Sequence, residues 1–500
     1  MISLKGLNVK GLALFPTTEK VVLPCRHKYG AVATWSHCTD TYKPILTGHG
    51  IDAEINAFKY NLALTCFVSP YSDASYPTQI GDAFNTGRIR FGTYFVNWRW
   101  ENPVTHAIEN IPNFFDTIWG QLACDADLIT QAQVGTIKAG NYPSLGNPMY
   151  TLTGGKYGYD ETNLVLGTSY DVVTPIILGQ YEWLNTLLGY YPSCGSYSYG
   201  LKPLINLLKA YYLAIRNSGY YYGYEDSFTR DVAMYNPTTT RAHDMMVDLA
   251  KTRAEAQALC QGYLQTAITN GGWYRDFAHW HNDIDTELAE YYAGQRATIG
   301  ANDVANLDFG TAYEHYFLRD MVRRISLYTH GSEMVLVVDV KDANSLPLKD
   351  IETPLSVDLD LTGTILEGKE IKGVNDKGIR KLAPNHFIVE VPYAKADGFQ
   401  AVTLQETLTP DYLDFALPSI SGVTKETNTV TVMTNKLTNV VLFSVARGGQ
   451  LYTATILKRD SVLSLIHAID VTGIDFSTLD VYIGVITKEK QSILSNAYQW

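Results

Sequence analysis

The chain has 500 residues, 46% of them apolar and 18% charged, and a formal net charge of −12. That length exceeds what one core organises and predicts two or three structural units, while the apolar share excludes a disordered chain. The acidic balance argues against a dedicated nucleic-acid binder, and no apolar run is long enough for a membrane span or a signal peptide.

Residues 1–200 read as β-rich and loop-rich. "KVVLPC", "YGAVATWSHC" and "NLALTCFVS" are short runs heavy in Val, Thr and aromatics, punctuated by Gly, Pro, Asn and Ser. "GRIRFGTYFVNWRWEN" (87–102) predicts a long strand with Ile89, Phe91, Thr93 and Phe95 on one face. Arg88, Arg90, Tyr94, Val96, Trp98 and Trp100 fall on the other, a mixture suited to stacking and cation–π contacts. Residues 1–100 carry ten Lys/Arg against six Asp/Glu. On that basis Arg88, Arg90 and Arg99 are candidates to face nucleic acid. The stretch 140–163 is too polar and Gly-rich for regular elements.

The period changes in the middle of the chain. Leu204, Leu207, Leu208, Tyr211 and Ile215 fall on one helical face, predicting a helix over 202–219 that opens at Pro203 and stops at Gly219. Further helices are expected at about 240–268, 283–294 and 311–328, so that residues 201–330 form a mainly helical region. From Gly331 onward the period returns to two. "EMVLVVDVKD", "LSVDLDLTG", "HFIVEVPY", "NTVTVMT" and "LDVYIGVIT" predict an antiparallel β-domain over 331–500, with Gly448-Gly449 in a hairpin turn.

Chemistry is sparsely signalled. No phosphate loop, nucleophile elbow or C-x-x-C pair occurs, and the six cysteines read as reduced, mostly buried thiols. "HWHNDID" (279–285) sets His279, His281 and Asp283 at an H-x-H-x-D spacing, a set of donors that could hold zinc and activate water. The competing reading is polar residues at a helix start. Eleven of the 35 tyrosines fall within 181–225, including "SGYYYGYED". Tyr220, Tyr221, Tyr222 and Tyr224 have neither helical nor alternating spacing, which favours a subunit interface over a core. A carbohydrate-stacking platform is the functional competitor.

"IRFGTYFVNWRWEN" (89–102) resembles a strand of the major capsid proteins of gokushovirus-like microviruses, "L-R-M-D-T-H-F-F-F-V-P-N-R-L-V-W-E-N". Residues 201–226, "LKPLINLLKAYYLAIRNSGYYYGYED", are similar in pattern to that family's "LPLRAYNLIWNEWFRDENL" helix. The resemblance implies a jelly-roll β-sandwich with large insertions, assembled into an icosahedral shell. The expected fold is therefore mainly β, of the α+β class: a jelly-roll-like sandwich with long loops, a helical insertion and a C-terminal antiparallel domain. The expected function is a non-enzymatic structural virion protein, a capsid subunit assembled in a host cytoplasm. It would need no cofactor, metal or membrane. Its partners would be copies of itself, other virion proteins and, non-specifically, packaged nucleic acid. Alternatives are a tailed-phage capsid, ring or tail protein, a carbohydrate-binding β-protein, and a metal-dependent hydrolase using His279, His281 and Asp283.

Overall fold

A computed structural model describes residues 20–40, 52–68, 76–95, 184–197, 212–216, 228–229, 242–244, 253–279, 303–340, 351–394 and 398–500, with single positions at 181, 294 and 298. The chain is mainly β, with sheets curled into barrel-like or half-barrel shapes. Its first half contributes β1 (Lys20–Pro24), β2 (Ala33–Asp40), α1 (Asp52–Lys59), β3 (Leu64–Val68), α2 (Tyr76–Asn85) and β4 (Ile89–Phe95). Then come β5 (Cys194–Tyr197), β6 (Ala214–Arg216), β7 (Phe228–Thr229), β8 (Ala242–Asp244), α3 (Arg253–Asn270) and β9 (Trp273–His279). Next are β10 (Val304–Asn306), α4 (Phe309–Met321), β11 (Val322–His330), β12 (Glu333–Val340), β13 (Leu355–Asp360), β14 (Ile371–Val374), β15 (Ile379–Ala383) and β16 (His386–Val391). The last elements are β17 (Tyr393–Ala394), β18 (Gly398–Phe399), β19 (Val402–Glu406), β20 (Ile420–Lys425), β21 (Thr429–Ala446), β22 (Thr455–Asp470), β23 (Leu479–Thr487) and β24 (Ser492–Leu494).

A nine-stranded sheet runs β7-β6-β5-β4-β3-β2-β9-β8, with β10 beside the start of β2. Apart from the β6–β7 pair, its strands are parallel. Parallel sheets need cover on both faces, and the sequence supplies it. On one face Trp35, Leu64, Cys66, Ile89, Phe91 and Tyr274 pack with Ile80 and Ala83 of α2 and Cys260, Leu264 and Ala267 of α3. On the other, Cys38, Phe67 and Trp273 pack with Phe309, Tyr313 and Tyr316 of α4.

Helix α4 is buried at eleven of its thirteen residues, polar Glu314, His315 and Arg319 among them. Its far side continues into Leu355, Val357, Phe387 and Val389 of an eight-stranded sheet, order β14-β19-β12-β11-β1-β13-β16-β15. Strand β1 lies inside that sheet, antiparallel to β11 (Val21 beside Ser326) and to β13 (Leu23 beside Asp358). Through β1, one strand from before residue 200 thus shares a sheet with strands after 331. A third, five-stranded antiparallel sheet holds β20 to β24 and rests on α1. There Gly484 allows a close approach: a Cβ would stand 2.8 Å from the rings of both Phe443 and Phe58.

Three helix expectations are corrected. Within 202–219, Ala214–Arg216 is a strand parallel to β5. Within 240–268, Ala242–Asp244 is a strand, and the described helix spans Arg253–Asn270. The helix expected to reach residue 328 ends at Met321 and passes directly into β11. Residues 283–293 lie outside the described set. Gly448 does sit in the hairpin between β21 and β22, at φ 73°.

Candidate active site at the carboxyl edge of the parallel sheet

Parallel strands all point their carboxyl ends the same way, so residues far apart in sequence collect along one edge. Asp40 ends β2 and His279 ends β9, and the two are register partners on adjacent strands. Asp244 ends β8, where it is paired with Phe277, two residues before His279. In a parallel sheet register partners share a face, and residues two apart along a strand do so as well. Asp40, His279 and Asp244 thus stand at the carboxyl ends of three neighbouring strands, β2, β9 and β8. Tyr94 and Ser196 are register partners on β4 and β5, and Ser196 pairs in turn with Arg216 on β6. These three are strand positions further along the same edge.

Below this edge, between the sheet and α4, the polar groups are bonded to one another. Trp273 Nε1 donates to Ser36 Oγ at 3.0 Å, and Arg275 Nη1 donates to the Tyr313 hydroxyl at 2.8 Å. The Arg275 guanidinium also lies over the Trp273 ring, 4.8 Å from its centre. His27 donates from Nε2 to the Gly271 carbonyl at 2.9 Å. That leaves Nδ1 as an acceptor, 2.7 Å from the Tyr316 hydroxyl and 3.0 Å from Thr34 Oγ1. Burial lowers the His27 pKa to about 4, so the ring is neutral at physiological pH.

Arg90, expected to face nucleic acid, points into this layer instead. Its Nη2 donates to Glu314 Oε1 at 2.7 Å, and Asp308 lies 3.8 Å from its Nε. Gly310 makes room for it, since a Cβ there would stand 2.8 Å from Arg90 Nε. Glu314 also accepts from the Thr353 amide at 3.0 Å, the Thr353 hydroxyl at 2.6 Å and the Ser193 hydroxyl. Arg88 is buried too and donates to the Lys490 carbonyl. The alternation read along β4 is right, but α2, α4 and the third sheet cover both of its faces. Neither guanidinium is presented to a polyanion.

Arg99, His281, Asp283, Tyr220, Tyr221, Tyr222 and Tyr224 lie outside the described residues. Other members of the tyrosine cluster are core. Tyr181, Tyr190 and Tyr212 are buried. The Tyr190 hydroxyl donates to the Phe91 carbonyl and accepts from the Phe91 amide, both at 2.8 Å, and the Tyr212 hydroxyl donates to Thr93 Oγ1 at 3.0 Å. The five described cysteines form no disulfide and are buried, as their spacing led one to expect.

Sequence reasoning singled out His279 but paired it with its neighbours in sequence rather than with Asp40 and Asp244. One signal for Asp40 was present: an acidic residue closing a β run, "ATWSHCTD". Among the residues with described side chains, no group of three His, Cys, Asp or Glu gathers around a point that could hold a metal. None of the described helices is long and apolar enough to cross a membrane.

No protein family matches the chain. No curated protein matches it either. Among solved structures it is similar to a protein from Mycobacterium smegmatis assigned as a polysaccharide deacetylase, at 13% identity, over 61% of this chain and 98% of that one, with a TM-score of 0.31. It is similar to the carbohydrate deacetylase Agd3 at 11% identity, over 76% of this chain and 66% of that one, with a TM-score of 0.33. It is also similar to a γ-CGTase from alkalophilic Bacillus clarkii at 9% identity, over 96% and 97% of the two chains, with a TM-score of 0.22. TM-scores of this size do not establish a shared fold.

Proposed function

We propose that the chain is a hydrolytic enzyme working at the carboxyl edge of its parallel sheet, with Asp40, Asp244 and His279 holding a divalent cation that activates water. The observation carrying this reading is the register pair Asp40–His279 at the last position of two adjacent strands inside the sheet. At that edge the chain leaves the sheet for its loops, and parallel α/β architectures gather their chemistry there. Carboxylates and a neutral imidazole form the donor set of a zinc-type cation, which lowers the pKa of bound water from its bulk value to about 7. The bonded layer below, from Arg275–Tyr313 to Arg90–Glu314, gives the edge a rigid floor.

Metal analysis of the full-length protein after loading with zinc or manganese and dialysis tests this directly. One equivalent should be retained by the wild type and lost in Asp40→Asn and in His279→Ala. A wild type that retains no metal, or an Asp40→Asn variant that retains it fully, refutes the proposal.

A second reading is the self-assembling structural subunit of capsid type. It is favoured by an exposed apolar run on β22, Val462, Leu463, Leu465 and Ile466. Sedimentation velocity with negative-stain imaging tests it: closed shells or rings support it, and a species no larger than a dimer counts against it.

A further inference from the structure

Register between β21 and β22 is lost from Met433/Ile466 to Val440/Asp460, and both strands bulge from the ladder there. The bulge is held by side chains whose protons can be counted. Asp460 accepts from the Val462 amide at 3.0 Å through Oδ1, and its Oδ2 lies 3.0 Å from Nδ1 of His467. The imidazole is fully buried, with Nε2 3.1 Å from the Ser464 carbonyl and 3.3 Å from Thr438 Oγ1. Thr438 Oγ1 lies 3.3 Å from Thr434 Oγ1, and the Thr434 hydroxyl donates its own proton to the Lys436 carbonyl at 2.8 Å. The Thr438 hydroxyl therefore donates to Thr434 and offers His467 only an acceptor.

Both ring nitrogens of His467 thus face acceptors: a carboxylate at Nδ1, and a carbonyl and a committed hydroxyl at Nε2. All these bonds close only when the ring carries both protons. A ring short of one sets a lone pair against an oxygen inside a covered site, which loses a hydrogen bond and strands the acceptor. Other charged groups of these strands are engaged elsewhere or face solvent. Arg459 reaches Asp82 of α2 at 3.5 Å, Lys436 pairs with Asp414, Asp470 accepts from Thr472, and Lys458 is exposed. We propose that Asp460 and His467 form a proton-operated latch on the bulge, closed while the imidazole carries both protons and released when it loses one. Release frees residues 460–467, with the exposed Val462, Leu463, Leu465 and Ile466, from a single arrangement. The sense is opposite to that of a histidine buried neutral, such as His27: this contact is present at low pH and lost as pH rises. The latch rests on neither the catalytic nor the assembly reading.

The experiment is hydrogen–deuterium exchange of the full-length chain at about pH 6 and about pH 9, on either side of the imidazole range and corrected for intrinsic rates. Peptides covering 460–467 should lose protection about tenfold at the higher pH, as one lost hydrogen bond gives, while β23 keeps its own. In Asp460→Asn and in His467→Gln the protection of 460–467 should no longer change with pH. Equal wild-type protection at both pH values, or an undiminished loss in His467→Gln, overturns the proposal. So does a ring-nitrogen NMR spectrum in which His467, assigned by its absence from His467→Gln, carries a single proton at about pH 6.

Discussion

Buried imidazoles make the fold pH-sensitive, since burial holds both His27 and His315 below the usual imidazole range. The His27 pKa falls from 6.5 to about 4 in the folded protein, mainly through desolvation. The unfolded chain therefore binds the extra proton first as pH drops. The stability this group contributes is complete above about 6.5 and is lost progressively down to about 4, amounting to roughly 3 kcal/mol. Denaturant titrations across that range should show the loss, and His27→Gln should reduce it, leaving the part due to buried His315. Glu314 is a second such residue, being the acceptor for Arg90, Ser193 and Thr353. Glu314→Ala strands the Arg90 guanidinium in a covered layer and should cost about 3–5 kcal/mol in equilibrium unfolding.

Elements differed in how openly the sequence declared them. The strands after Gly331 alternate because one face is often wet, as in β19 and the first half of β21, and they were legible. The parallel strands are covered on both faces, so β3 reads as the continuous run "LTCFV", with no period to show direction or neighbours. The helix-to-strand change at Met321/Val322 has no Gly or Pro to announce it. There the β-branched residues Val322 and Ile325 take the chain into a sheet while polar Arg323 and Arg324 keep a helical look. The candidate site was half legible: His279 stood out beside His281, whereas Asp40 became its neighbour only through strand pairing. At the C-terminal sheet, Gly484→Ala should drive a methyl into Phe58 and Phe443 and lower stability by about 1–3 kcal/mol, readable as a shift in thermal midpoint.

The whole molecule is tied together by its first described strand. Besides dividing β11 from β13, the β1 region leads to Lys28, whose ammonium is buried against Glu390 and donates to the Pro354 carbonyl at 2.7 Å. Deleting residues 1–27 would open the eight-stranded sheet in its middle. Such a protein should lose its cooperative unfolding transition, readable by denaturant titration.

That placement also sets an order of events during synthesis. The ribosome releases β1 long before β11 and β13 exist, so the strand's edges stay vacant while hundreds of residues are added. The parallel sheet can begin to condense in that interval, but the larger antiparallel core cannot close until its last partner emerges. Such long-range closure makes folding slow, and the waiting strand is a natural target for chaperones that shield extended apolar segments.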